Sequence, residues 1–171
     1  MARRGIRGIR LGEHPGVTRA REILADARNR DLRGLLEYWL AIHPAGRLPA
    51  RGDFDPAEVP GALPWLVLTE VERDPYRFKV RLMGTAVVAA FGRDFTGRYL
   101  SEMLTDHEID YSYLHRIEVA ETGLPNYRYG DPRMAFKLDF GPIERIYLPF
   151  ATDGETVDMI LGMTLYLARR P

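Results

Sequence analysis

Residues 76–102 read YRFKVRLMGTAVVAAFGRDFTGRYLSE, and the change of period inside this stretch decides the fold class. At its start Phe78, Val80 and Leu82 alternate with Arg77, Lys79 and Arg81, which puts apolar side chains on one face of a strand and cations on the other. A cationic face suits a solvated strand or an edge strand. Gly84-Thr85 ends the strand and opens a short helix through Phe91, which Gly92 terminates; Asp94 or Thr96 starts another running to about residue 104. On the N-terminal side, residues 66–72 form a second strand, and the Asp74-Pro75 turn joins the two as an antiparallel hairpin.

Downstream, Thr105 and Glu108 make a capping box that opens a longer helix through about Thr122, stopped by Gly123 and Pro125. Strands follow at about 126–138, 143–151 and 156–168, with Asp153-Gly154 as a type I′ hairpin signal between the last two. In the final strand Val157, Met159, Leu161, Met163, Leu165 and Leu167 share one face and Asp158, Gly162 and Thr164 the other, which predicts a long central strand. Ile146, Leu148 and Phe150 give its partner a matching apolar face. Upstream, Thr18 is expected to cap one helix over 19–43, with Ile23, Ala27, Leu32, Leu35, Leu36, Trp39 and Ile42 at three- and four-residue spacing. His43-Pro44 stops it. Strands interrupted by a helical block predict an α+β fold: a five-stranded antiparallel sheet covered on one face by short helices, with a long N-terminal helix. The divisions are a basic arm over 1–17, the helix and its cap over 18–47, and the core over 48–171.

The chain has 171 residues, which suits one domain, and 46% hydrophobic and 28% charged residues, which excludes disorder over most of its length. Net charge is zero, yet residues 1–33 hold nine arginines against four acids, so the remainder is acidic. No aromatic residues interleave with Arg3, Arg4, Arg7 and Arg10, so the arm is not read as a nucleic-acid contact. No apolar run approaches the roughly 20 residues of a membrane span, and a cytoplasmic location is expected.

Arg81-Leu82-Met83-Gly84-Thr85, then Phe91-Gly92-Arg93-Asp94-Phe95-Thr96-Gly97-Arg98 and Leu100-Ser101-Glu102, resemble the part of PAS domains that ends the second strand and runs through the short helices. The turns at Arg81, Gly84 and Thr85 and at Gly92, Asp94, Thr96 and Gly97 resemble in particular the stand-alone single-PAS-domain proteins of alphaproteobacteria. Leu36 to Trp39, Leu48-Pro49 and Asp53-x-Asp55-Pro56 resemble the entry segment of that branch. These are turn and cap residues: Gly84 and Gly97 fit places where a side chain obstructs a tight turn, and Asp94 and Thr96 suit local hydrogen bonds at helix starts. The resemblance implies sensing or signalling by protein contact. It does not name a ligand.

A PAS fold carries flavin, haem, a covalent chromophore, a small acid or nothing, and each needs particular residues. The chain has no cysteine, which excludes a cysteinyl-flavin adduct and a thioester-linked chromophore. For haem, His115 on the longer helix is the candidate axial ligand, against the alternative of a surface or hydrogen-bonded histidine. Asp106, His107, Glu108 and Asp110 read as a solvated first helical turn, so no metal is expected. Neither a nucleophile elbow nor a phosphate or dinucleotide loop is present, and the chain is expected not to be an enzyme.

Tyr111, Tyr113, Tyr127 and Tyr129 pair apolar bulk with a hydroxyl, as core or pocket residues do. The pocket is expected between the helix at 106–122 and a sheet face carrying Met83, Ile146, Leu148, Leu161 and Met163, with Tyr111, Tyr113 and His115 as further candidates. Leu32, Leu35, Leu36, Trp39 and Ile42 form a stripe that packs either on its own domain or on a second copy as a homodimer interface. The expected partners are therefore a small-molecule ligand and an unidentified signalling protein, because no output domain is recognisable in the chain. The alternative is a ligand-free dimerisation adaptor.

Overall fold

The two-residue period of the central stretch ends where the backbone leaves the sheet. In the computed structural model residues 12–104, 106–130 and 142–167 are described, residues 106–111 by backbone alone. The elements are α1 (Pro15–Asp26), α2 (Arg30–Ala41), β1 (Leu66–Glu72), β2 (Arg77–Met83), α3 (Thr85–Phe91), α4 (Asp106–Thr122), β3 (Asn126–Gly130), β4 (Ile143–Phe150) and β5 (Met159–Tyr166), with short 3₁₀ turns between them. The strands form one five-stranded sheet in the order β2-β1-β5-β4-β3. Every pairing is antiparallel. β2 is an edge strand with Arg77 and Arg81 exposed and Phe78 and Val80 buried, and Arg81 Nε donates to Glu70 of β1 at 2.7 Å. β5 is central.

Register sorts the inner strands onto two faces. Gly162 lies opposite Tyr147 and Val67, while Leu161 lies opposite Leu148 and Leu68, and Met163 opposite Ile146 and Leu66. The face of Ile146, Leu148, Leu161 and Met163 carries α1 and α2. Trp39 Nε1 donates to the Pro149 carbonyl at 3.1 Å, and Phe54 in the following connection meets Phe150 at 5.8 Å between ring centroids. α3 and α4 cover the opposite face. The sheet is thus enclosed on both sides, and all eight residues of β4 are buried.

The expected single N-terminal helix is two helices. Ala27 is extended (φ −63°, ψ 133°), and Asn29 caps α2 by accepting from the Asp31 and Leu32 amides. Amides that a continuous helix would bond internally turn outward to the sheet: Glu144 accepts from Arg28 N at 2.7 Å and Asn29 N at 3.0 Å. Arg33 Nη1 closes the other end on the Leu24 and Ala27 carbonyls. α1 begins at Pro15, capped by the His14 ring rather than by Thr18. The expected helix and arm boundaries at 18 shift accordingly. Leu32, Leu35, Leu36 and Trp39 are each 0% exposed within the single chain and Ile42 is half-buried, so the stripe offered to a second copy is consumed by the domain's own core. Each of those leucines contributes about 1.5–3 kcal/mol by burial.

The Asp153-Gly154 turn is not a two-residue hairpin. Phe150 pairs with Met159, and residues 151–158 form a longer loop in which Asp153 Oδ1 accepts from the Glu155 and Thr156 amides. Leu48 N bonds the Gly154 carbonyl, so the entry segment adds itself to this loop and holds it open. Gly84 is required by close approach: a Cβ there would lie 2.3 Å from the Pro64 carbonyl oxygen. Gly97 is required by conformation, with φ +86° and open space around it. Asp94 Oδ1 accepts from the amide and hydroxyl of Thr96, the expected local bonds, but within a turn; only a 3₁₀ turn at Leu100–Glu102 follows. The Thr105–Glu108 capping box, the expected strand beyond residue 130 and the arm over 1–11 lie outside the described residues.

Candidate functional site

α4 presents Ser112 and Arg116 one turn apart on its sheet-facing side, while Leu114 between them is exposed. Across from them, β5 offers its small and polar residues, Gly162, Thr164 and Tyr166, and β4 offers Tyr147. Between lies a cavity of about 70 Å³. Its remaining wall is apolar, from Trp65 and Val67, Val87, Ala90 and Phe91 of α3, and Leu100, Met103 and Leu104. Gly162 matters to this shape because a Cβ there would stand 3.0 Å from the Tyr147 ring.

Two arginines dominate the polar end. Arg116 is 6% exposed; its Nη1 donates to the Ser112 hydroxyl and, at 2.8 Å, to Tyr147 Oη, and its guanidinium carbon sits 4.2 Å from the Tyr147 ring centroid. Arg145 is 5% exposed, 4.3 Å from the same centroid, and donates through Nη2 to His115 Nδ1 at 2.8 Å and Asn126 Oδ1 at 3.2 Å. Both Nε atoms are buried with no hydrogen-bond partner among the described residues. Among the described residues neither guanidinium meets a carboxylate. Glu144, next to Arg145 in the chain, points through the opposite face to the α1–α2 junction and also accepts from Tyr127 Oη at 3.1 Å.

The electrostatics follow. A guanidinium only donates, so His115 Nδ1 accepts, which fixes a neutral ring. Burial, followed by the charges of Arg145, Arg128 and Arg116, lowers the His115 pKa to about 4. Burial pushes the Tyr147 phenol up, and Arg116 with Arg145 outweighs it, leaving the group below its ordinary value. Burial lowers Arg116 as well, but a guanidinium starts so high that it stays charged. The cavity therefore ends in a positive, hydrogen-bonding pole. Among the described residues no three His, Asp or Glu side chains gather to hold a metal ion. No described helix is long and apolar enough to cross a membrane.

The PAS domain family model matches residues 27–165, which is most of the chain and runs from α2 through α3 and α4 to all but the last residue of β5. The chain belongs to the PAS domain family. PAS domains are generally sensory modules. Solved structures similar to this PAS domain include the Rhodobacter sphaeroides LOV protein, 14% identical with a TM-score of 0.43, the match covering 61% of this chain and 59% of that one. The light state of the blue-light photoreceptor Aureochrome1 LOV is 13% identical with a TM-score of 0.41, over 64% of this chain and 85% of that one. An RNA-binding light-oxygen-voltage receptor is 17% identical with a TM-score of 0.39, over 87% of this chain and 48% of that one. No curated protein matches the chain.

Within this PAS domain the expected pocket residues scatter. Ile146, Leu148, Leu161 and Met163 lie on the opposite face, under α1 and α2. Met83 sits at the edge, where its sulfur accepts from Phe95 N, and Tyr113 packs edge-on against Phe78 at 4.9 Å. His115 supports Arg145 rather than lining the cavity. Tyr127 binds Glu144, and Tyr129 lies under Arg28 at 4.0 Å. The Tyr111 side chain lies outside the described residues. The cavity does have α4 as one wall, on the sheet face opposite to Ile146, Leu148, Leu161 and Met163. Ser112, Arg116, Tyr147, Thr164 and Tyr166 were missed, and the signal for them was the small, polar side of a strand already read as central.

Proposed function

We propose that this PAS domain is a non-catalytic sensory module that takes a small molecule into the cavity between α3, α4 and the sheet and passes its state on by protein contact. The observation that carries this reading is the cavity's division into apolar walls and one convergent polar end of Ser112, Arg116, Tyr147 and Thr164. Orientation by a few polar groups inside an apolar envelope is how ligand pockets achieve specificity. The volume of about 70 Å³ falls well below the roughly 300–1,000 Å³ of pockets for drug-sized ligands, so it fits a molecule of few heavy atoms and not flavin or haem.

β4 supplies the route outward. Arg145 and Tyr147 face the cavity side while Glu144 holds the α1–α2 junction, so adjacent residues of one strand serve both layers. Displacement of the strand by a ligand would reach the N-terminal helices within one residue. Native mass spectrometry of the purified protein, followed by amide NMR against a panel of small acids, amides and alcohols, tests the reading. The expected result is a retained mass or saturable shifts at Ser112, Arg116, Tyr147 and Gly162. Neither a retained mass nor a saturable shift from any probe would defeat it.

A further inference from the structure

We infer that the ligand of this cavity is a small monocarboxylate with a short apolar body, its carboxylate bound by Arg116. The inference rests on the ligand reading above and adds the chemical class. Its first support is a charge deficit. Burying an ion without a partner is costly, and Arg116 and Arg145 are both nearly buried, share the Tyr147 ring and meet no carboxylate among the described residues. Its second is position, since Arg116 lines the cavity beside Ser112 and Tyr147, to both of which it donates through Nη1. A carboxylate suits both, because a guanidinium donates charge-assisted hydrogen bonds to it.

The rest of the cavity selects among anions. Val67, Val87, Phe91, Leu100 and Met103 offer no donors, so a phosphate or sulfate, with four oxygens to satisfy, would strand some of them against hydrocarbon. A short alkyl body fills the same space favourably, and the cavity's size limits that body to a few carbons.

Calorimetric and NMR titrations of the unmodified protein with butyrate, butyramide and inorganic phosphate test the class. Butyrate should bind at least about tenfold more tightly than butyramide, the margin of a hydrogen bond to a charged group, and phosphate should bind most weakly. Equal affinity for butyrate and butyramide, or no binding of butyrate, would overturn the inference and leave the ligand cavity to be decided by the wider panel. Phosphate binding above butyrate would refute the carboxylate class. Arg116→Met should erase the preference for the acid, because it removes the cation and keeps a side chain of similar length. A folded Arg116→Met that still prefers butyrate tenfold would also count against the inference. The acid–amide comparison needs no variant, so it stands whether or not Arg116→Met folds.

Discussion

Replacing Glu144 by glutamine isolates the contact that joins the sheet to the N-terminal helices. The carboxylate is 0% exposed and accepts from Arg28 N at 2.7 Å, Asn29 N at 3.0 Å and Tyr127 Oη at 3.1 Å. A carboxamide of the same shape offers one oxygen, and its NH₂ then faces a backbone donor. Leaving one buried donor unsatisfied costs about 1–3 kcal/mol, and losing charge assistance weakens each remaining bond by roughly half. Relief from burying a charge offsets part of this, so the net loss is about 2 kcal/mol. In a chain of this size that lowers the melting temperature by about 4–8 °C. The loss should be concentrated at the junction, with hydrogen exchange at Arg28 and Asn29 accelerated beyond the global change. A melting temperature within about 1 °C of wild type, with both amides equally protected, would refute the reasoning.

Trp39→Ala removes a 0%-exposed indole and its bond to the Pro149 carbonyl and should cost about 3–5 kcal/mol in urea denaturation; a loss below about 1 kcal/mol would mean that α2 does not pack on the sheet as described. Gly84→Ala places a Cβ 2.3 Å from a backbone oxygen that cannot yield without moving the turn into α3, so a loss above about 2 kcal/mol is expected, and wild-type stability would contradict the close approach. His115 titrates near 6.5 when unfolded and near 4 when folded, so the unfolded chain binds more protons between those values. Its contribution to stability is complete above about pH 6.5 and lost as pH falls toward 4. His14 and His43 are lowered as well, so His115→Gln should flatten part of that decline, and an unchanged pH profile would show that the ring is not neutral beside Arg145.

Much of the fold was legible because its signals are local. The β1–β2 hairpin, the edge position of β2, the Gly84 and Gly92 boundaries of α3 and the end of α4 each depend on a turn residue or a two-residue period. The break at Ala27–Asn29 was only half legible. Asn29 is a good cap, but what makes the break preferable to a continuous helix is a carboxylate more than 100 residues away. The site failed for a related reason. Alternation in β5 assigns two faces without saying which layer covers each, and the apolar side was matched to α4 when it belongs to α1 and α2. Small and polar Gly162 and Thr164 lie on the other face, which α3 and α4 cover. Arg145 and Tyr147 carried no warning, since each is ordinary on a surface.

β4 places two buried charges of opposite sign on consecutive residues and turns them away from each other. Glu144 is satisfied by the α1–α2 junction, while among the described residues Arg145 finds neutral acceptors in His115 and Asn126. The cavity side of the strand is therefore the unbalanced one, and an anion there interacts differently with any two positions of β4 that change its distance to the arginines. That difference is what a ligand needs to shift an equilibrium, and the shift must appear reciprocally at the helix junction. Butyrate should accordingly move the Arg28 and Asn29 amides along with Ser112 and Gly162, at the same midpoint. In Glu144→Gln the cavity amides should still respond while the junction amides do so much less. Wild-type shifts confined to the cavity would show that β4 does not carry the signal to the N-terminal helices.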